Sequence, residues 1–317
     1  MQEISDNNYN NFNIELKEPK HITTFHNSFI TCATVLNDSR LATGSDDNSI
    51  IIYNNKTFKP DLTIREHMDM VTSLIQLSSG ILCSGSKDKK IKFYNINGNT
   101  YNILQTILFH TDGVGKIIEL SNHKLVSSSK DGSIIFYFKD NSGYKKDFNI
   151  KINPYNGPII QTKSNEICYY EVPNKVLNFF NFQERKNIAK INDISVTNYI
   201  FDSLLMMSKD LLLAAGAQNL TIINVNSHSI IRIIEVYGPR TQFDPSENSI
   251  NALCLLTENI ILSVDDKYKI IQWKIEGDNL CLTSKKENAH ESSIRTVKKI
   301  GNGLIMTGDL KGVVKIW

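Results

Sequence analysis

Three ungapped stretches of this chain align residue for residue: LATGSDDNSIIIYN from Leu41 to Asn54, LCSGSKDKKIKFYN from Leu82 to Asn95, and LVSSSKDGSIIFYF from Leu125 to Phe138. Each ends at or beside an aromatic anchor, Tyr53, Tyr94 or Tyr137. The same pitch continues through Phe180, Ile223, Trp273 and Trp317, at intervals of 41, 43, 43, 43, 50 and 44 residues. Seven units follow. A period of this size outweighs every local signal, because one such unit cannot bury its own apolar face and must stack on its neighbours.

A second register runs alongside the first. His26, His67, His110 and His290 each lie 27 residues before an anchor. Within a unit, short β-branched or apolar runs such as Val71 to Leu77, Ile81 to Ser84 and Ile91 to Tyr94 are separated by turn residues, which predicts a small antiparallel meander. The clusters SDDN, SKDK and SKDG suit tight turns, where Asp bonds nearby backbone and Gly or Asn accepts positive φ.

A His, then a Ser/Thr-Gly-Ser-x-Asp turn, then an aromatic closing a strand resembles the WD-repeat β-propeller family over residues 20–317. The resemblance implies an all-β, seven-bladed β-propeller of four-stranded antiparallel blades. It also implies a hydrogen-bonded group in each blade. The matching positions are His26, Thr43, Asp47 and Tyr53 in the first unit, His67, Ser84, Asp88 and Tyr94 in the second, and His110, Ser127, Asp131 and Tyr137 in the third. Tyr stands where the family carries Trp, so an O–H must reach where an indole N–H does. The seventh unit keeps His290, Thr307 and Trp317, with Lys311 at the Asp position. The sixth keeps Ser263 and Trp273 with an extra residue near Asp265 and Asp266. Units four and five lack the polar set, having Asn153 and Asn174, and Val196 and Ala217, at the His and Asp positions.

The final unit ends at its third strand. Lys20 to Phe25, directly before His26, sits where the outer strand of a unit sits, so the N-terminal segment is expected to complete the seventh blade and close the ring. Residues 1–19, rich in Asn, are expected to form a polar arm ahead of a propeller spanning 20–317, and to be too short for another domain.

Thirty-five Lys and Arg against thirty-three Asp and Glu leave a formal charge of +2 on 317 residues, too balanced for the basic footprint of a nucleic-acid binder. Five widely spaced cysteines form no C-x-x-C pair, which predicts reduced thiols in apolar strands rather than disulfides or zinc. No secretory leader or membrane-spanning run is read, so a cytoplasmic protein is expected, with the nucleus also open.

No nucleophile elbow, phosphate loop or metal-binding helix motif occurs. The repeated His and Asp stand around a ring and cannot converge on one ion. The expectation is therefore no catalytic residue, no metal, no cofactor and no small-molecule substrate. By resemblance the chain is a non-enzymatic scaffold that binds other proteins or peptides. Two alternatives differ in class. A propeller enzyme needs clustered acids at one end of the ring, for which Asp46, Asp265 and Asp266 are the candidates. A substrate-recognition subunit of a ubiquitin ligase usually carries an adaptor-binding module, for which nineteen leading residues leave little room.

The family also implies where a partner docks: three and five residues after the blade's His, and just before the turn Asp. Carried over by position, these are Phe29, Thr31, Asp46, Met70, Thr72, Lys87 and Lys130, with Tyr199, Phe201, Asn251 and Arg295 across the ring. One arginine among eleven disfavours a multi-arginine phosphate reader and favours a mixed apolar and basic protein surface.

Overall fold

β-Branched and aromatic residues alternate with Ser, Gly and Asp turns along the whole chain, and the result is strands joined by tight turns. The computed structural model describes residues 16–154, 157–172, 174–194, 203–237, 249–301 and 303–317. Among these it contains seven four-stranded antiparallel sheets and no helix. Six sheets are consecutive meanders running from an inner to an outer strand. Blade 1 runs from Ile30–Val35 to Pro60–Ile64, blade 2 from Val71–Gln76 to Thr100–Ile107, and blade 3 from Val114–Glu119 to Gly143–Lys151. Blade 4 runs from Ile159–Lys163 to Lys186–Ile191, blade 5 from Leu204–Met206 to Ser229–Glu235, and blade 6 from Ile250–Thr257 to Asn279–Lys286.

Blade 7 is assembled from both ends of the chain. Its inner three strands are Ile294–Lys299, Ile305–Asp309 and Val314–Ile316, and its outer strand is His21–Thr23, paired antiparallel as His21 with Ile316 and Thr23 with Val314. The expected closure is present, through a strand narrower than residues 20–25. Lys20 N–H adds a bond to the Ile316 carbonyl at 2.6 Å. Closing the ring leaves no blade face uncovered by a neighbour.

The second strand of each blade lies between flanking strands and neighbouring blades, so LATGS, LCSGS, LVSSS and IMTGD are buried at every residue. Small residues are required there. A Cβ on Gly85 would stand 2.7 Å from Val114 Cγ1 in blade 3, and one on Gly308 would stand 2.6 Å from Ile30 Cγ2 in blade 1. Glycine thus sets how closely the inner strand of the next blade approaches. Blades 4 and 5, which lack the polar set, are nonetheless regular. A shared core of Tyr170, Leu177, Phe179, Leu204, Leu212 and Ile223, among others, holds them by packing.

The second turn of the blades uses the predicted left-handed position. Asn48 (φ 68°), Gly132 (φ 73°) and Gly312 (φ 77°) occupy it, but so does Lys89 at φ 74°. A lysine pays about 1 kcal/mol or more for that conformation. Lys89→Asn is therefore expected to raise stability by roughly 0.5 kcal/mol, read as a higher denaturant midpoint at an unchanged m-value. A midpoint at or below that of the parent chain would contradict the strain at Lys89.

Candidate functional site

The repeated polar residues meet at one end of the ring, where the loop entering each blade's inner strand lies beside the turn between its second and third strands. In blade 1, His26 Nδ1 is 3.0 Å from Asp47 Oδ2 and His26 Nε2 is 2.7 Å from Thr43 Oγ1. Blade 2 repeats this with His67, Asp88 (2.8 Å) and Ser84 (2.6 Å), and blade 3 with His110, Asp131 (3.0 Å) and Ser127 (2.7 Å). A carboxylate accepts and does not donate, so the imidazole proton sits on Nδ1. Each Asp also accepts the N–H of the residue after its His: Asn27 at 2.9 Å, Met68 at 3.0 Å and Thr111 at 2.9 Å. Its other oxygen takes a turn N–H from Ser49, Lys90 or Ser133. One carboxylate thereby ties the entry loop to the turn.

The aromatic member of the group differs between blades. Trp317 Nε1–H donates to Thr307 Oγ1 at 2.8 Å, and Trp273 Nε1–H to Ser263 Oγ at 2.9 Å. Tyr137 OH reaches Ser127 Oγ at 2.8 Å, whereas Tyr53 and Tyr94 stand 3.3 and 3.4 Å from Thr43 and Ser84. Hydroxyl pairs are normally closer than that. The tyrosine substitution thus keeps a full bond in blade 3 and a weak one in blades 1 and 2.

Sequence position misassigned blade 7. Lys311 stands where the Asp was expected, but the carboxylate comes from Asp309, two residues earlier. Asp309 Oδ2 is 2.9 Å from His290 Nδ1, and Oδ1 accepts the N–H groups of Lys311 and Val313, both at 2.9 Å. His290 Nε2 lies 2.7 Å from Thr307 Oγ1 as in the other blades. Blade 6 uses the same device with a different partner. Asp265 occupies the position of Asp309, accepts Lys269 N–H at 2.8 Å and receives the hydroxyl of Tyr237 in place of a histidine. Tyr237 lies in the longer 50-residue interval, outside the spacing that located the histidines.

Burial and hydrogen bonding oppose each other in these groups. Burial alone would raise the Asp88 pKa, but the bonds from His67, Met68 N–H and Lys90 N–H outweigh it and hold the carboxyl near about 2. Asp47, Asp131 and Asp309 are likewise held below the ordinary carboxylate value against the effect of burial. Burial lowers the pKa of His110 and His290, despite the aspartate beside each. Asp265 goes the other way, because burial there outweighs the Tyr237 and backbone donors.

The residues marked as partner contacts divide into two sets. Thr72 and Asn251 are buried, and they bond the neighbouring blade rather than face outward: Thr72 Oγ1 donates to Val114 O at 2.7 Å, and Asn251 Nδ2 to Ile294 O at 2.8 Å. Thr31 Oγ1 donates in the same way to Val71 O. Five residues after the His is therefore an inter-blade tie, because adjacent inner strands converge there. Arg295, at this position in blade 7, is half-buried and directed at Asp266, 4.0 Å away.

The other set is at the surface. Phe29 and Lys130 are exposed, while Asp46, Met70 and Lys87 are half-buried. Tyr199 and Phe201 lie outside the described residues. Two exposed apolar residues at this end were not anticipated: Met68, which is 78% exposed directly after His67, and Tyr268 in the second turn of blade 6. Among the described residues, no group of three or more His, Cys, Asp or Glu side chains is placed to hold a metal ion, and no helix is long and apolar enough to cross a membrane.

Seven four-stranded blades closed by an N-terminal strand define a β-propeller, and the His, hydroxyl and Asp bonding in blades 1, 2, 3 and 7 is of the WD-repeat kind. The family model described as WD domain, G-beta repeat matches residues 17–54 and 58–95, so the chain carries WD repeats over those residues. It is similar to Actin-interacting protein 1 of Caenorhabditis elegans, with 39% identity over 77 residues. That segment covers 23% of this chain and 13% of the relative.

Proposed function

We propose that this chain is a non-enzymatic interaction platform whose turn-bearing end docks a partner protein. The observation that carries this reading is the exposure of Phe29, Met68 and Tyr268 at that end, where Lys87 and Lys130 also lie, on loops and turns anchored by the His26–Asp47 and His67–Asp88 pairs and, in blade 6, by the Tyr237–Asp265 bond. Preformed turns lose little freedom on binding, and large apolar residues near basic ones suit a protein partner. The acids that an enzyme would need are engaged internally. Asp265 receives Tyr237, Asp266 accepts from Asn251 and Ser293, and Asp46 accepts from Ser28.

The test is capture of partners from a cell extract by the parent chain and by a variant combining Phe29→Ala and Met68→Ala. Both side chains face solvent, so melting is expected to stay within a degree or two while capture of the dominant partner falls about tenfold or more. Equal capture by both proteins would reject this end as the docking face. Actin belongs in the assay as a defined probe, given the name of the relative to which part of this chain is similar.

A further inference from the structure

Every blade ends in an outer strand with unpaired backbone groups on one side, and such edges invite pairing unless something guards them. Most are guarded here. The outer strand of blade 1 begins Pro60-Asp61, and that of blade 7 is three residues long. Blade 3 carries Lys145, Lys146 and Asp147, blade 4 Lys186 and Lys190, and blade 6 Lys285 and Lys286. Blade 5 carries Arg232 at its centre and Glu235 at its end.

Blade 2 differs. Its outer strand Thr100–Ile107, TYNILQTI, has no charged residue, and none occurs between Lys92 and Asp112. Ile103, Leu104, Leu108 and Phe109 are all exposed there, Leu104 at 49% and Leu108 at 64%. Charges beside this hairpin are matched internally: Glu66 lies 3.6 Å from Lys92 and accepts from Tyr101 OH at 2.9 Å, and Arg40, which donates to Gly98 O, pairs with Asp38 at 2.8 Å.

We propose that this edge is a dimerisation edge, at which a second copy of the chain pairs antiparallel along Thr100–Ile107 and joins two blades into one eight-stranded sheet. The occupant follows from the symmetry of such a pairing. An antiparallel pair of identical strands has a two-fold axis through one residue and its copy, so that residue meets itself. Near the middle of this strand the axis falls on Ile103 or on Leu104. In either register, every opposed pair is uncharged and the exposed apolar patch meets its own copy. A pairing centred on the blade 5 edge would set Arg232 against Arg232, one centred on the blade 3 edge Asp147 against Asp147, and one centred on Ile188 in blade 4 Lys186 against Lys190, while the blade 6 edge would carry Lys285 and Lys286 into the interface. Like charges opposed in this way destabilise a strand pair. One strand pair and a small apolar patch make a modest interface, so the dimer exchanges with monomer at micromolar concentration.

Sedimentation equilibrium of the full chain over a wide concentration range tests this. The mass is expected to rise from the 36.0 kDa monomer toward twice that value. Leu104→Lys and Thr106→Lys should each weaken association by about tenfold or more, while Ile233→Lys on the blade 5 edge leaves it unchanged. Hydrogen exchange on the unaltered chain supplies a readout that needs no variant: amides within residues 100–107 should gain protection as concentration rises. A mass of 36.0 kDa at every concentration, a dimer whose protected amides lie elsewhere, or folded lysine variants that associate like the parent would each overturn the proposal.

Discussion

Removal of residues 1–25 is expected to lower the melting temperature sharply and to make the protein aggregate on heating, whereas removal of residues 1–15 leaves melting close to that of the full chain. The larger deletion takes away the strand His21–Thr23, the Lys20 N–H bond to Ile316, and Leu16, which packs against the core between blades 6 and 7. Four or so strand bonds at about 0.5 to 1.5 kcal/mol each amount to roughly 2 to 6 kcal/mol. The deletion also leaves Val314–Ile316 as a bare edge, which favours association between unfolding chains. Calorimetry with light scattering reads both effects. Identical melting of the two truncated forms would show that the ring does not depend on this strand.

Asp309→Ala is expected to cost about 3 kcal/mol, while Lys311→Ala costs less than about 0.5 kcal/mol. Asp309 is almost fully buried and accepts three donors, so its loss strands His290 Nδ1–H and two turn amides. Lys311 extends into solvent toward Glu291, 3.4 Å away, in an exposed pair that contributes little. Urea denaturation of both variants distinguishes the two positions; equal losses would return the role to residue 311.

The same groups set the response to acid. The folded pKa of His290 lies below its ordinary 6.5, so the unfolded chain takes up the proton first and stability declines as pH falls below that value. Asp88 is depressed from 3.8 to about 2, so its contribution is complete above about pH 4 and is lost as pH falls through about 2. The two effects have the same sign, and the protein should melt progressively lower from neutral pH downward.

The spacing of His, Asp and aromatic residues was legible because all three belong to one covalent unit. A His 21 residues before a turn Asp, as His67 is before Asp88, is brought to it by the local path of one blade, whatever the rest of the ring does. The same holds for the left-handed turn position at Asn48 and Gly132, where φ depends on the turn itself. Asp309 escaped this reading because a carboxylate two residues earlier reaches the same imidazole, and alignment by column cannot see reach. Tyr237 escaped it because its hydroxyl extends past the end of the blade 5 outer strand into blade 6, beyond any fixed spacing.

The sequence by itself determined the number of units, the strand order within each and the need for the N-terminal segment to complete the last. Those follow from period, turn chemistry and the count of strands, all of which are local or additive along the chain. Tertiary structure alone decided how the blades meet. Thr31, Thr72 and Asn251 were placed at the surface by position, yet they tie one inner strand to the next, because the inner strands converge on the axis and bring hydroxyl and amide groups within reach of the neighbouring carbonyls. Blades 4 and 5 have lost their polar groups and keep their shape through a core that neither can form alone. Distances between blades are set by the side chains of two units at once, and a repeat read one unit at a time does not contain them.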